Sequence, residues 1–392
     1  MKDDASLSSI REHMHGFARS TGLSPPRLNP RRYLWTDAFA VCNFLELSRR
    51  TGEDRYRDLA LLLVDQVHHV LGRHRDDDAR TGWISGLGEK EGEKRPTSGG
   101  LRIGKRLNER SPSDRFDDEL EWDRDGQYYH YLTKWMHALN RAAQATGNDR
   151  YHLWALELAG TAHGRFTYAY APPSGGQKRM YWKMSIDLSR PLVPSMGQHD
   201  PLDGFVTYNQ LQLYTQDAGK KSVYPDLSRE IADMAVIMEG KGWITDDPLG
   251  IGELLCDGYR TAQMIVKGCF ERYDLLESVL DASLAGLESF VRTGSIQLPV
   301  DYRLAFRELG LSIGLHAVER LSGLVEKNPR FTESRTLHGR VEMLHRYTPL
   351  IDAIERFWLE PSNRAGKTWV EHGDINLVML VTSLAPDGFL TI

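Results

Sequence analysis

A repeated helix–turn–helix segment constrains the fold of this chain more than any other feature. Residues 33–56 and 131–151 each form an apolar stretch of helical periodicity that ends in Thr-Gly-x-Asp-Arg-Tyr. Gly52 and Gly147 suit the left-handed position just past a helix end, and the aspartate two residues later suits the start of another helix. Each segment is therefore predicted to be two antiparallel helices joined by a tight turn.

Weaker copies of the pattern continue along the chain. The further predicted pairs cover 203–216 with 227–240, 252–269 with 271–292, and 303–325 with 333–358. A last helix at 371–385 has no partner after it, and the first helix, roughly residues 5–19, would supply one. Six hairpins predict an all-α fold in which residues 1–392 form one domain and strands occur only in short loop ribbons.

Six successive hairpins can close into a ring of inner and outer helices or extend as an open α-solenoid. The connections differ greatly in length, and the terminal helices lack partners unless they meet, so we predict a closed (α/α)6 barrel with long loops at one end. The Thr-Gly-x-x-Arg-Tyr turns resemble those of (α/α)6-barrel proteins of the six-hairpin glycosidase type. That resemblance implies the fold and a carbohydrate substrate, but no particular reaction.

Composition excludes several classes of partner. The net charge of −5 gives no reason to expect a nucleic acid or a membrane surface as partner, and no run approaches 18 apolar residues. The three cysteines, Cys42, Cys256 and Cys269, do not suit a disulfide framework, and the first residues do not read as a signal peptide. We therefore expect a cytoplasmic protein, of unknown oligomeric state, that binds a small saccharide.

Polar and aromatic residues collect just before the predicted inner helices. In a closed ring these helices all run in one direction, so the loops that enter them meet at one end. The catalytic carboxylates predicted there are Glu121 or Asp123, with Asp203 or Glu371 as partner. The predicted sugar-binding residues are Trp35, Asp37, Asp125, Gln127, Tyr128, Tyr129, His130, Gln198, His199, Asp200, Arg303, Arg307, Trp369, His372 and Asp374.

The leading hypothesis is a glycoside hydrolase that needs no metal or cofactor, since one carboxylic acid and one carboxylate suffice for the reaction. Structural roles compete with it: Asp37 and Asp203 also suit helix caps, and Asp125 before Gly126 also suits a turn. An alternative is a sugar epimerase or isomerase similar to the N-acylglucosamine 2-epimerase group, with His130, His199 and His372 as proton shuttles. A polysaccharide lyase and a non-catalytic helical scaffold remain open as well.

The connection from 75 to 118 is the longest stretch without helical periodicity. Residues 90–115 carry eight basic and four acidic side chains. Connections of this length are often functional, so we predict either a lid over an anionic saccharide or a solvated loop. A second irregular stretch, 167–200, would form the opposite rim.

Overall fold

The computed structural model describes residues 2–170, 177–217, 224–268 and 270–392, and this part of the chain is mainly helical. Its α-helices are α1 Lys2–Thr21, α2 Leu34–Thr51, α3 Asp54–Leu71, α4 Glu89–Lys94, α5 Asp118–Asp123, α6 Tyr129–Thr146, α7 Asp149–Phe166, α8 Asp200–Asp217, α9 Ser228–Met238, α10 Pro248–Val266, α11 Tyr273–Thr293, α12 Ala305–Lys327, α13 Arg335–His345, α14 Pro349–Leu359, α15 Pro361–Arg364, α16 Lys367–Glu371, α17 Gly373–Leu384 and α18 Asp387–Leu390. Short 3-10 helices cover Ser295–Gln297 and Val300–Tyr302. The all-α hairpin organisation predicted for an (α/α)6 barrel is confirmed.

Within the described residues, strands occur only as short ribbons between helices, as predicted. They are β1 Gln127–Tyr128, β2 Thr167–Tyr170, β3 Gln177–Met180, β4 Lys183–Met184 and β5 Pro191–Val193. β2 pairs antiparallel with β3, with Thr167 opposite Met180. β4 lies between β1 and β5 in a second small antiparallel sheet that leads directly into α6.

The repeated turns form as the sequence predicts. Gly52 and Gly147 have φ values of 71° and 67°, in the left-handed region that favours glycine. Their amides donate to the carbonyl oxygens of Ser48 and Ala143, which satisfies acceptors left over at the ends of α2 and α6. Each turn thereby folds the following helix back along the preceding one.

The described chain divides into two compact units. We call Ala18–Gly240 the contiguous unit, and Met1–Phe17 together with Lys241–Ile392 the split unit. The predictions of one domain over 1–392 and of a closed ring concern both units together and stay predictions.

In the contiguous unit, α6 packs between α2 and α8, and each of these three helices packs against the helix that follows it. The close approach of α6 and α8 depends on Gly204, where a Cβ would lie 2.2 Å from the Tyr129 hydroxyl oxygen. The helices α2, α6 and α8 thus lie side by side and begin at Leu34, Tyr129 and Asp200.

In the split unit, α12 packs between α10 and α17, and α11, α13 and α14 pack on this group. The segment 333–358, predicted as one helix, is two helices, because Pro349 has no amide hydrogen to continue the first of them. His13 of α1 lies 2.7 Å from the Arg364 guanidinium of α15. The predicted pairing of α1 with the last long helix stays a prediction.

Much of the long connection is anchored in the contiguous unit. Thr97, Leu101 and Ile103 are fully buried. The Arg102 guanidinium donates to Asp125 at 2.6 Å and to the Val70 carbonyl at 2.6 Å. Other residues of this connection are exposed, among them 111–118, and the lid over 75–118 stays a prediction.

Within the part of the chain that the structure describes, no helix combines the length and apolar character needed to cross a membrane.

Candidate functional site

An aromatic cluster lies where α2 and α6 begin in the contiguous unit. The hydroxyl groups of Tyr33 and Tyr131 are 2.7 Å apart, and burial raises the pKa of Tyr33 to about 12. Trp35 is 4% exposed, and its ring centroid is 5.3 Å from that of Tyr131 and 5.9 Å from that of His130. The rings of Trp35 and Tyr131 pack against His130.

His130 combines a sheltered ring with remaining access to solvent. Its imidazole is stacked at 5.7 Å on Tyr128, yet 28% of the side chain is exposed. Loss of hydration, followed by the charge of Lys134, lowers the pKa of His130 to about 4. Because this pKa lies well below 7, the imidazole is neutral at neutral pH and can accept a proton.

Two aspartates of the first turn of α8 lie beside this histidine. Asp200 is 6% exposed, and its Oδ1 is 3.7 Å from Nδ1 of His130. Asp203 forms a buried ion pair with Lys134, at 2.9 Å, and accepts a hydrogen bond from the Thr133 hydroxyl. Asp203 therefore joins α8 to α6, whereas Asp200 lies beside the His130 imidazole.

Glu121, a predicted catalytic acid or base, is held by cations. Its Oε1 is 2.8 Å from the Lys183 ammonium, and its Oε2 is 3.2 Å from Nε of Arg110. The same ammonium donates to the carbonyl oxygens of Glu121 and Arg124, at 2.6 and 3.1 Å. These contacts fix α5 in place, and Asp123 at its end is exposed.

Three other predicted binding residues hold the surrounding loops. Asp37 accepts the backbone amide of Tyr33 at 2.9 Å, and Asp125 is fully buried against Arg102. Gln127, also fully buried, accepts the Leu101 amide at 2.8 Å. These contacts hold in place the loops around His130.

The remaining predicted site residues of the contiguous unit differ in their exposure to solvent. Tyr129 is fully buried and donates to the Tyr208 hydroxyl at 2.8 Å. Tyr128 is 2% exposed, and its hydroxyl has no hydrogen-bond partner among the described residues. Gln198 is exposed and His199 half-buried, immediately before Asp200.

In the split unit, two predicted residues belong to the core. Arg303 makes a bidentate ion pair with Glu308, at 2.8 and 2.6 Å, and its guanidinium lies 3.6 Å from the Phe357 ring centroid. Trp369 is 8% exposed and stacks on Trp358 at 5.7 Å.

The other predicted residues of the split unit are more accessible. Arg307 donates to Asp247 at 2.7 Å, with 43% of its side chain exposed. Glu371 is exposed, whereas His372 and Asp374 are half-buried; the His372 ring meets Phe306 edge-on at 5.5 Å. Their participation in one site with His130 stays a prediction.

Sequence reasoning missed Lys134, Tyr131 and Trp182. The spacing of four residues between His130 and Lys134 would have placed both on one face of a helix. Trp182 lies in an irregular stretch where no periodicity indicated its direction. No group of three or more His, Cys, Asp or Glu side chains within the described residues is arranged to hold a metal ion.

Comparisons with known proteins add distant structural likeness. No protein-family model and no curated protein matches the chain. A solved cellobiose 2-epimerase from Spirochaeta thermophila DSM 6192 is similar with a TM-score of 0.47 and 10% identity, over 96% of this chain and 98% of that one. A sugar epimerase from a ruminal bacterium is similar with a TM-score of 0.43 and 11% identity, over 81% of this chain and 76% of that one. Both TM-scores lie below 0.5, so the site has to be interpreted from its own geometry.

Proposed function

We propose that the chain is a sugar epimerase or isomerase that moves a proton at the carbon next to the carbonyl group of a free sugar. His130 acts as the base: it takes the proton from carbon, and the electron pair of that C–H bond passes into an enediolate. Return of a proton to carbon completes the reaction with no bond between sugar units broken.

The observation that carries this proposal is the state of His130. A neutral imidazole, partly exposed and flanked by rings, can accept a proton from carbon. Asp200, 3.7 Å from Nδ1, favours the imidazolium that forms. His199, on the turn beside Asp200, is the candidate second proton carrier.

The predicted catalytic carboxylates support hydrolysis less well than His130 supports epimerisation. A hydrolase needs a carboxylic acid that is free to give its proton to the bond that breaks. Glu121 and Asp203 are both buried against lysine ammonium groups. Burial of Asp200 and Asp203 also differs from the exposed surface that a non-catalytic scaffold would present.

The proposal is tested by proton exchange in deuterated water. D-glucose, D-mannose, N-acetyl-D-glucosamine and cellobiose are incubated with the protein, and loss of the C2 proton signal is followed by NMR. We expect exchange without cleavage, and a loss of about 100-fold or more in His130→Asn. Because the unprotonated imidazole is required, kcat/KM should fall as pH drops through about 4 and be independent of this group at higher pH.

The exposed His345 provides the control, and His345→Gln should retain the wild-type exchange rate. Undiminished exchange in His130→Asn would contradict the proposal. Cleavage of aryl glycosides without exchange, abolished by Asp203→Asn, would replace it with the hydrolase hypothesis.

A further inference from the structure

A row of neighbouring aromatic rings extends from His130 to the exposed Trp122 in the contiguous unit. We call His130, Tyr128, Trp182 and Trp122 the aromatic row. Successive ring centroids are 5.7, 5.0 and 5.5 Å apart. The His130 side chain is 28% exposed and Tyr128 is buried, whereas Trp182 is half-buried and Trp122 is 59% exposed.

Trp122 is exposed although the turn that carries it is firmly held. Asp117 caps α5 by accepting the Leu120 amide at 2.9 Å. Glu121, the residue before Trp122, is 4% exposed and bound to Lys183 and Arg110. The ring is therefore displayed by a rigid support, and its exposed apolar surface is a fixed property of this turn.

Trp182 is oriented just as firmly. Its indole nitrogen donates to the Ser195 hydroxyl at 2.9 Å, and its backbone carbonyl accepts the Tyr129 amide at 3.0 Å. The planes of the two tryptophans are inclined by 37°. The two indole rings are therefore neighbours with an angle between their planes, and Trp122 is the more exposed of the two.

We propose that Trp182 and Trp122 form a binding subsite for a second and further pyranose ring of a saccharide whose reacting unit lies at His130. The apolar C–H face of a pyranose complements the exposed part of an indole face, and the two tryptophans lie beyond the buried Tyr128 as seen from His130. The substrate class is then an oligosaccharide with a free reducing end. This inference rests on the proposed function only for the placement of the reacting unit.

Binding measurements test the subsite separately from turnover. A glycan array identifies the oligosaccharide that the wild-type protein binds best, and titration calorimetry compares its Kd with that of its own reducing-end monosaccharide. We expect the wild type to bind the oligosaccharide more tightly. Trp122→Ala should weaken oligosaccharide binding about tenfold, so that the difference from the monosaccharide largely disappears.

Phe116→Ala is the matched control, because Phe116 is 48% exposed, precedes the same turn and lies 5.5 Å from the Arg110 guanidinium carbon. It should retain the oligosaccharide preference. Failure of every arrayed oligosaccharide to bind better than its monosaccharide would overturn the inference, as would an undiminished preference in Trp122→Ala. Retained circular dichroism of the variant excludes unfolding as the cause of weaker binding.

The two proposals fail in distinguishable ways. Oligosaccharide binding that depends on Trp122, without proton exchange, would contradict the epimerase proposal alone. Proton exchange that depends on His130, without an effect of Trp122 on binding, would contradict the subsite alone.

Discussion

At the scale of single residues, the buried His68 makes the stability of the fold depend on pH. Nε2 of His68 accepts a hydrogen bond from the Trp135 indole at 3.1 Å, and its ring meets Trp135 and Trp154 edge-on. Burial lowers the pKa of His68 to about 3. The imidazole therefore serves as a neutral acceptor, and protonation would remove the lone pair that Trp135 uses.

Acid should accordingly destabilise the fold through this residue. Between pH 6.5 and about 3, His68 is protonated in the unfolded chain but not in the folded chain. The free energy of unfolding therefore keeps the contribution of this residue above pH 6.5. Within that range it falls by about 1.4 kcal/mol for each pH unit of acidification. From pH 7 to pH 5, His68→Gln should lose about 2 kcal/mol less than the wild type. Urea unfolding at both pH values measures this difference.

Substitution of the exposed His345 by Gln should leave the wild-type pH dependence in place. An identical loss in His68→Gln and wild type would mean that His68 takes up a proton in the folded protein.

Arg303 and Arg307 lie four residues apart but in different surroundings. Arg303→Met should cost about 3–5 kcal/mol, because among the described residues it leaves the buried Glu308 carboxylate with the Trp358 indole, at 2.8 Å, as its remaining side-chain donor. Arg307→Met removes a half-exposed pair and should cost about 0–1 kcal/mol. Thermal unfolding of the two variants compares them.

The double variant Arg303→Met with Glu308→Met should recover much of the loss, since no buried charge remains unpaired. Similar costs for the two single variants would contradict the structural role assigned to Arg303.

At this scale the sequence predicted more of the site's composition than of its contacts. The prediction that the loops before the inner helices meet at one end placed Trp35, Tyr128, His130 and Asp200 in one site. The positions of the predicted helices could not show that Glu121 of α5 pairs with Lys183 of β4, because 62 residues separate them along the chain. Long-range pairing of charges is decided by tertiary packing, which local periodicity does not report.

At the scale of elements, the turn glycines separate backbone strain from packing. A Cβ at Gly147 would meet nothing within 4 Å, so Gly147→Ala isolates the left-handed φ and should cost about 1 kcal/mol. Gly160 lies exposed inside α7 and also has free space, so Gly160→Ala should stabilise by up to about 1 kcal/mol. Chemical denaturation of both variants should give changes of opposite sign; changes of equal sign would refute this account.

Long helices were predictable because their apolar faces repeat over several turns. The third hairpin, predicted at 203–216 and 227–240, is observed at Asp200–Asp217 and Ser228–Met238. The short helices α4 and α5 were not predicted, since six residues are too few to establish a period and depend on tertiary contacts. The break before Pro349 was overlooked even though the proline itself signals it.

At the scale of the whole molecule, the split unit includes residues from distant parts of the chain. Ile10 and Met14 of α1 are buried and belong with residues 241–392. Met14→Ala should cost about 2–5 kcal/mol and speed hydrogen exchange in α10 and α12 more than in α2 and α6.

Leu47→Ala is the mirror control, because Leu47 is equally buried in the contiguous unit and should speed exchange mainly in α2 and α6. Equal acceleration in both units by either variant would contradict this localisation and support one cooperative domain over 1–392.

The order in which the two units become complete has a consequence for synthesis on the ribosome. Residues 18–240 leave the exit tunnel as one stretch, so the contiguous unit can gather its three hairpins during translation. The segment up to Phe17 emerges before this stretch, but the rest of its unit, residues 241–392, is synthesised only after it. During that interval, Ile10, Met14 and Phe17 form a nascent apolar segment of the kind that chaperones protect from aggregation.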